Sequence, residues 1–354
     1  VSEDLTKRGT QSVLMRPERE IFGLSGPTHL TAVDWTNTHH RRSVAASLVA
    51  GVYGLERDRR KNRHGPIDLA LPWWEFFHFQ VFHVLKDDVD STIFGAVYEF
   101  KDADPAPDVP KYVIAFRDTI LQPDNAPQDI KLDFKCFRNK LHESSRFQLA
   151  IQYVEKLVAL AANASVWLAG HSLGSSIALL AVKNTVLKMD YFIETYLFNP
   201  PFLTASIEWI KEERVKEGIR FASGVVKAGL SLTADALKHR EYNPFVLLAG
   251  WSPHLFVNPD DPVSSEYIGY FEHRKKMEEI GAGNVERLAA QNTMRNIIKC
   301  AAKGRELEVA LHLLPSAYLT TNLGKSPSVI RAHAIEQWWN PDIHCTRILH
   351  QFQK

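Results

Sequence analysis

A short motif near the middle of the chain holds the residues best suited to chemistry. Gly170-His171-Ser172-Leu173-Gly174 has the form G-x-S-x-G, with an apolar stretch on either side of it. An apolar strand, a glycine-flanked serine and an apolar helix form the context of a nucleophile elbow, a sharp turn that projects a serine hydroxyl from the edge of a sheet. The first amides of such a helix lack intrahelical acceptors and point at any oxyanion formed there. The motif therefore predicts that Ser172 is a catalytic nucleophile rather than part of a structural turn, and that the chain is a serine hydrolase.

A serine hydroxyl is a weak nucleophile, so Ser172 requires a general base and an acid that orients the base. Enzymes with this type of elbow place first the acid and then the histidine downstream of the serine. The apolar run 255–257 leads into Asn258-Pro259-Asp260-Asp261, which puts carboxylates directly after a strand. We predict that Asp261 is the acid, with Asp260 as the alternative. For either residue the structural explanation is a turn, because aspartate is common in turns.

The histidine is expected late in the chain. His333 lies a few residues before Trp338 and Trp339, whose aromatic rings can desolvate and fix an imidazole. We predict that His333 is the general base, with His344 as the alternative. A lone histidine is usually a packed or exposed side chain, so this prediction depends on the serine and the acid that already require a partner.

Aromatic residues are concentrated in the segment Leu71–Phe79. One interpretation is packing in the core or at an interface. The other is a wall of a pocket for an acyl or aromatic substrate, which would assign Trp73, Trp74 and Phe76 to substrate binding. His171, next to the nucleophile, is assigned to the same substrate site.

Runs of apolar residues alternate between strand and helix patterns along the rest of the chain. Strands are predicted at 92–100, 111–117, 165–169, 195–199 and 255–258, and helices at 43–55 and 143–162. Alternating strands and helices favour βαβ units, a mostly parallel sheet and right-handed crossovers. Helical patterns also cover 205–245, either a cap over the site or a pair packed beside the sheet, and about 270–314. We predict one domain over 1–354, with residues 1–90 as an N-terminal extension packed on it.

Composition limits which other classes of function and location are open to this protein. The 354 residues carry a net charge of +1, which argues against broad attraction to nucleic acid, and the basic run 57–63 is interpreted as a solvated loop after a helix. Three scattered cysteines favour a reducing compartment, and we expect a cytoplasmic protein. No apolar run is long enough for a membrane helix, so at most peripheral membrane contact is expected. No metal or cofactor is predicted, and the oligomeric state is not predicted.

These motifs together resemble the class 3 lipases, which are α/β-hydrolases. The resemblance covers about Tyr112 to Trp339 and rests on Val113-Ile114-Ala115-Phe116-Arg117-Asp118-Thr119, on the G-x-S-x-G motif, on the Asn258–Val263 segment and on the late His333. The whole chain also resembles plant lipase-like proteins often labelled GDSL esterase/lipase, although it contains no G-D-S-L motif. The resemblance implies an α/β-hydrolase fold, with a mostly parallel central sheet flanked by helices and a helical insertion, and an acyl ester or lipid substrate.

The same resemblance implies an oxyanion hole formed by the amide and hydroxyl of Thr119 and the amide of Leu173. Asp118 stands where the family has a glycine before this threonine. Two alternatives to ester hydrolysis stay open. One is an acyltransferase, or a narrow esterase of plant metabolism, that uses the same triad. The other is a lipase-like interaction scaffold, for which Asp118 is the main support.

Overall fold

The computed structural model describes residues 27, 29–30, 32–64, 73–102, 108–118, 145–161, 165–189, 191–202, 247–279 and 313–352. Thr119, the predicted insertion at 205–245 and most of the predicted helical region 270–314 lie outside the described residues. Trp73 is described only as part of a helix, without its side chain.

One eight-stranded sheet forms the centre of the described molecule, and its strands follow each other in chain order. The strands are β1 (Phe79–Lys86), β2 (Ile93–Phe100), β3 (Tyr112–Phe116), β4 (Val166–His171), β5 (Glu194–Phe198), β6 (His254–Val257), β7 (Ala317–Asn322) and β8 (Cys345–His350). Strands β3 to β7 are parallel, whereas β1, β2 and β8 pair antiparallel with their neighbours at the two edges. The predicted mostly parallel sheet is thereby confirmed.

The helices described are α1 (Thr38–Lys61), α2 (Trp73–Phe76), α3 (Ser145–Ala161), α4 (Leu173–Met189), α5 (Glu266–Glu279) and α6 (Val329–His333), with short 3₁₀ helices at Leu248–Gly250 and Ile335–Trp339. Apolar residues of α3, α4 and α5 share one buried cluster on one face of the sheet. Right-handed crossovers between parallel strands that advance in one direction place their helices on the same face. The other face is covered by α1 and the Ile335–Trp339 helix, which share a second buried cluster.

Helix α1 brings a tyrosine and a glutamate to the catalytic end of the sheet. The Asn37 side chain caps its start by accepting from the His39 amide, and Asn62 ends it in the left-handed region. Gly51 lets the helix lie close to β2, since an added Cβ would stand 2.8 Å from the Tyr98 hydroxyl. This close approach sets where along the strands the later turns of α1, which carry Tyr53 and Glu56, make their contacts.

Strands β1, β7 and β8, helices α2 and α6, and both ends of α1 differ from the sequence-based expectation. Strands β1, β7 and β8 were not predicted; β1 and β8 are edge strands with largely exposed or half-buried side chains, so they lack the apolar runs of the central strands. The run 57–63 was predicted as a loop, but its residues up to Lys61 form the last turns of α1. There Arg59 and Arg60 pair with the buried Glu56. Within the described residues, none of the helices is long and apolar enough to span a membrane.

Candidate active site

The turn between β4 and α4 has the geometry of a nucleophile elbow. Ser172 adopts a φ of 54°, in the left-handed region that non-glycine residues rarely occupy. A Cβ at Gly170 would stand 2.5 Å from the Gly174 carbonyl oxygen, and a Cβ at Gly174 would stand 2.4 Å from the Phe116 carbonyl oxygen. Both glycines are therefore required by close backbone contacts, and the strained serine is held between them.

Three predicted residues from different parts of the chain meet at this elbow. His333 Nε2 lies 2.8 Å from Ser172 Oγ, and His333 Nδ1 lies 3.0 Å from Asp261 Oδ2. Ser172 and Asp261 are buried, and the His333 side chain is largely buried. Ser172 follows β4, Asp261 follows β6, and His333 ends α6 after β7, so all three lie at the carboxyl ends of parallel strands, where open α/β sheets bind ligands.

Asp261 is held as an ionised acceptor. Its Oδ2 accepts hydrogen bonds from Ser264 Oγ at 2.6 Å and from Asn199 Nδ2 at 2.8 Å, and its Oδ1 accepts from the Val263 amide at 3.0 Å. Burial by itself raises the pKa of Asp261, but the charge of His333 and these hydrogen bonds outweigh it, so the pKa lies below its ordinary value. The carboxylate is thus fixed as the acceptor of a hydrogen bond from Nδ1–H of His333.

His333 is more basic than an ordinary histidine. Burial lowers its pKa, but the Asp261 carboxylate and, to a smaller extent, the Asp118 charge raise it above the ordinary value of 6.5. Since Asp261 accepts from Nδ1, the neutral ring carries its proton there and presents Nε2 as an acceptor to the Ser172 hydroxyl. This is the tautomer that a general base requires.

The two alternative residues are placed elsewhere. Asp260 Oδ2 accepts from the Ser326 amide at 2.8 Å, so this carboxylate braces a neighbouring turn. His344 is exposed just before β8, and its carbonyl accepts from the Leu323 amide. The geometry brings Asp261 and His333 to Ser172 rather than either alternative.

His171 lies in a hydrogen-bonded chain that joins the base to the loop before Thr119. Its Nε2 lies 2.7 Å from the His333 carbonyl oxygen, which can only accept, so Nε2 carries the proton. Nδ1 then accepts from the Tyr53 hydroxyl at 2.8 Å, and the Tyr53 oxygen accepts from the Asp118 amide at 2.9 Å. Burial, followed by the His333 charge, lowers the pKa of His171 to about 3, so its ring is neutral. Both ring nitrogens have protein partners, which favours a positioning role over direct substrate contact.

The two predicted oxyanion donors are described unequally. Leu173 is the first residue of α4, where a backbone amide has no intrahelical acceptor. Thr119 lies outside the described residues. The residue before it, Asp118, is held through its amide by Tyr53 and through its carbonyl by Arg117 Nη1. The backbone that leads into position 119 is therefore fixed from two sides.

The predicted aromatic wall has a packing role in the described structure. The Trp74 ring lies against Tyr98, and Phe76 is 43% exposed and contacts Phe77 edge-on. The pairing of Phe79 with Phe100 places the start of β1 at the end of the sheet opposite to Ser172. Among the described contacts, none brings Trp74 or Phe76 to Ser172, and their substrate-binding role stays a prediction.

Several residues that support the site were not identified from the sequence. Asn199, with a φ of 46°, ends β5 and joins Asp261 to Trp338, whose indole donates to Asn199 Oδ1 at 2.6 Å. Gln337 donates to the Ala332 carbonyl at 2.7 Å and accepts from Asn258 at 2.7 Å, which ties the acid loop to the histidine segment. The available signal was position: Asn199 and Asn258 both come directly after apolar strands.

The chain is similar to known lipases and esterases. The pattern of the lipase (class 3) family matches residues 109–201, the segment from β3 to just past β5. A protein of Arabidopsis thaliana named GDSL esterase/lipase is 48% identical over 347 residues, which cover 93% of this chain and 97% of that protein. A crystal structure of a lipase from Rhizopus microsporus var. chinensis aligns at 16% identity over 44% of this chain and 56% of that chain, with a TM-score of 0.28, too low to carry an argument. On the strength of the Arabidopsis relative and the matched segment, this α/β-hydrolase-fold chain belongs to the class 3 lipase family.

Proposed function

We propose that the protein is a serine carboxylic-ester hydrolase that acts through an acyl-enzyme. The observation that carries this proposal is the pair of distances at His333: 2.8 Å from Nε2 to Ser172 Oγ and 3.0 Å from Nδ1 to Asp261 Oδ2. A nucleophile, a base and an orienting acid within hydrogen-bond reach form the arrangement that acyl transfer requires.

In the proposed mechanism His333 Nε2 takes the proton of Ser172 as Oγ attacks the ester carbonyl. Asp261 stabilises the imidazolium that results. The oxyanion binds the Leu173 amide and, by analogy with the family, Thr119; one such donor typically contributes about 3–4 kcal/mol. His333 then protonates the departing alcohol, and water enters by the same base to release the acid and restore Ser172. No cofactor takes part in these steps.

An acyl ester or lipid is the proposed substrate class. Membership of the lipase family and the esterase/lipase name of the Arabidopsis relative support it. The acyl-chain preference is open to direct measurement with a series of nitrophenyl esters of increasing chain length. An added acceptor alcohol separates hydrolysis from acyl transfer, since a transferase forms a new ester in preference to the free acid.

Labelling by a fluorophosphonate probe tests the proposed nucleophile and base. The wild-type protein is expected to react, and both Ser172→Ala and His333→Ala are expected to lose the label while they keep wild-type circular dichroism. Ser176→Ala is a matched control, because it removes a neighbouring buried hydroxyl of α4 that the mechanism does not use. A well-folded wild type that resists labelling with or without detergent would reject the proposal and favour the scaffold interpretation.

A further inference from the structure

A cavity of about 250 Å³ lies between the first turns of α1 and strands β5 to β8. Basic and polar side chains line much of it, namely His39, Arg41, Arg42, His254, Cys345 and Arg347. Neither Ser172, Asp261 nor His333 is among the described lining residues. The cavity is smaller than the 300–1,000 Å³ typical of sites for drug-sized ligands, so it suits a small molecule or a small group.

The described lining residues carry a surplus of positive charge. Arg41 pairs with Glu194, which also lies 3.3 Å from His254 Nε2. Arg347 is exposed, with its guanidinium 4.2 Å from the centre of the Tyr318 ring, and Arg42 is buried. Burial lowers the pKa of His39 to about 4, which leaves that ring neutral. The described lining residues thus include three arginines and no carboxylate, and one of these arginines pairs with Glu194 outside the lining.

Buried donors without acceptors are the strongest sign of a ligand. Arg42 is 6% exposed; its Nε donates to the Trp338 carbonyl at 2.8 Å and its Nη1 to Cys345 Sγ at 3.8 Å. Within the described part of the chain, Arg42 Nη2 has no acceptor, and the same holds for Arg41 Nε. Leaving a buried donor unsatisfied destabilises the folded protein, and more so when the group is charged. Two such atoms on neighbouring arginines that line one cavity point to a missing acceptor.

The start of α1 adds to the positive potential in the cavity. Thr38, the first residue of the helix, lines the cavity, and the first turn of α1 contains no acidic residue. The dipole at the amino end of a helix favours an anion, although the His39 and His40 amides themselves donate to the Asn37 side chain.

We propose that this cavity is a binding site for a small phosphate group, either inorganic phosphate or a phosphate monoester. Guanidinium groups present their donors in a geometry that matches phosphate oxygens, and a tetrahedral dianion accepts from several side chains at once. The proposal does not depend on the ester hydrolysis proposed above, since the residues involved are different.

Isothermal titration of the full-length protein with inorganic phosphate and with glycerol phosphate, at constant ionic strength, tests the site. We expect saturable binding that weakens by about tenfold or more in Arg347→Gln and in Arg42→Lys, as loss of a hydrogen bond to a charged group predicts. Arg347→Gln changes an exposed strand residue, so its melting temperature without phosphate is expected to match the wild type. Lys275→Gln, which removes an exposed charge on α5, is the matched control and is expected to bind as the wild type does.

Titration with dihexanoyl phosphatidic acid below its micelle concentration distinguishes the source of the phosphate. Tighter binding than glycerol phosphate would assign the site to a lipid headgroup, and equal or weaker binding would assign it to a soluble ligand. Absence of binding by all three probes would overturn the proposal. Binding that is unchanged in both arginine variants would also overturn it, because the ion would then bind elsewhere.

Discussion

At the residue scale, the protonation of His333 decides, in the proposed mechanism, whether Ser172 can be activated. The general base must be neutral, and Asp261 holds its pKa above the ordinary 6.5. Raising the pKa of a base shifts the acid limb of the rate profile to higher pH. We expect kcat/KM to fall as the pH drops through a midpoint above 6.5. Measurement of kcat/KM between about pH 5 and pH 9 checks this, and a midpoint at or below the ordinary value would contradict the assigned role.

The charge of Asp118 gives a second test of the same base. This carboxylate raises the pKa of His333 without a hydrogen bond to it. Asp118→Asn is therefore expected to move the acid limb of kcat/KM to lower pH while activity persists. Asp261→Asn is expected to move the limb in the same direction but to lower kcat by about 10⁴-fold, because the tautomer is no longer fixed. Equal rate losses in the two variants would show that Asp118 is part of the triad chemistry.

The Tyr53 hydroxyl is expected to act as a positioning group. Tyr53→Phe leaves His171 Nδ1 without its donor and the Asp118 amide without its acceptor. Because this amide precedes position 119 of the predicted oxyanion loop, we expect kcat to fall by about ten- to a hundredfold with little change in KM, as for a lost transition-state contact. Steady-state kinetics measure the effects on kcat and on KM separately. Tyr153→Phe, whose hydroxyl contacts the exposed His83, is the control. A change confined to KM would place Tyr53 in substrate binding instead.

At the scale of elements, the end of α1 is joined to the sheet by a buried carboxylate. Glu56 is fully buried and accepts from Arg59, Arg60 and the Ile93 amide, while Arg117 Nη2 lies 3.8 Å from it. Burial raises the pKa of Glu56, but these donors outweigh it and lower the pKa to about 2. Arg117 leads directly into Asp118, so this ion pair also fixes the loop beside the nucleophile.

Glu56→Gln is expected to lower the free energy of unfolding by roughly 3–5 kcal/mol at pH 7, because it leaves Arg117 buried without a counter-charge. The folded-state pKa lies below the ordinary 4.5, so the stabilisation is present above that value and is lost as the pH falls toward about 2. Urea unfolding at several pH values measures both effects. Glu279→Gln, at an exposed position of α5, is expected to change little. If the difference in unfolding free energy between Glu56→Gln and the wild type stayed the same at acidic pH, the ion-pair explanation would be contradicted.

At the scale of the whole molecule, one continuous sheet carries the site and both buried clusters. Ser172, Asp261 and His333 come from segments far apart in the chain, and each is placed by a different strand of that sheet. Separation of the strands therefore dismantles the site. If the chain is a single domain, as predicted, it is expected to unfold in one cooperative transition.

We expect fluorophosphonate labelling and tryptophan fluorescence to be lost together in a single urea transition. Trp251 and Trp167 are buried in the clusters on the two faces of the sheet, so the fluorescence change reports the core as a whole. Labelling that disappears at a lower urea concentration than the fluorescence change would show that the site opens separately and would argue against one cooperative domain.

The nucleophile motif and strands β2 to β6 were predictable from the sequence because their signals are local. The elbow is a five-residue pattern whose glycines are required by contacts within the turn and with the end of β3. The central strands are buried on both faces and read as apolar runs, whereas edge strands β1 and β8 carry mixed side chains and left no such run. Chain order placed the acid and the histidine downstream of Ser172, and the aromatic residues after His333 favoured it over His344.

Tertiary structure alone decided which groups support these residues. The chain from Asp118 through Tyr53 and His171 to His333 joins four separate segments, and Asn199 reaches Asp261 across 62 positions. The cavity beside α1 likewise assembles donors from one helix and four strands. A hydrogen bond or a cavity between distant segments depends on how the chain folds back on itself, and no local pattern of apolar and polar residues encodes that distance. The sequence by itself predicted the nucleophile and two candidates for each of its partners, because the elbow depends on near neighbours along the chain, whereas the choice between the candidates depends on contacts between distant segments.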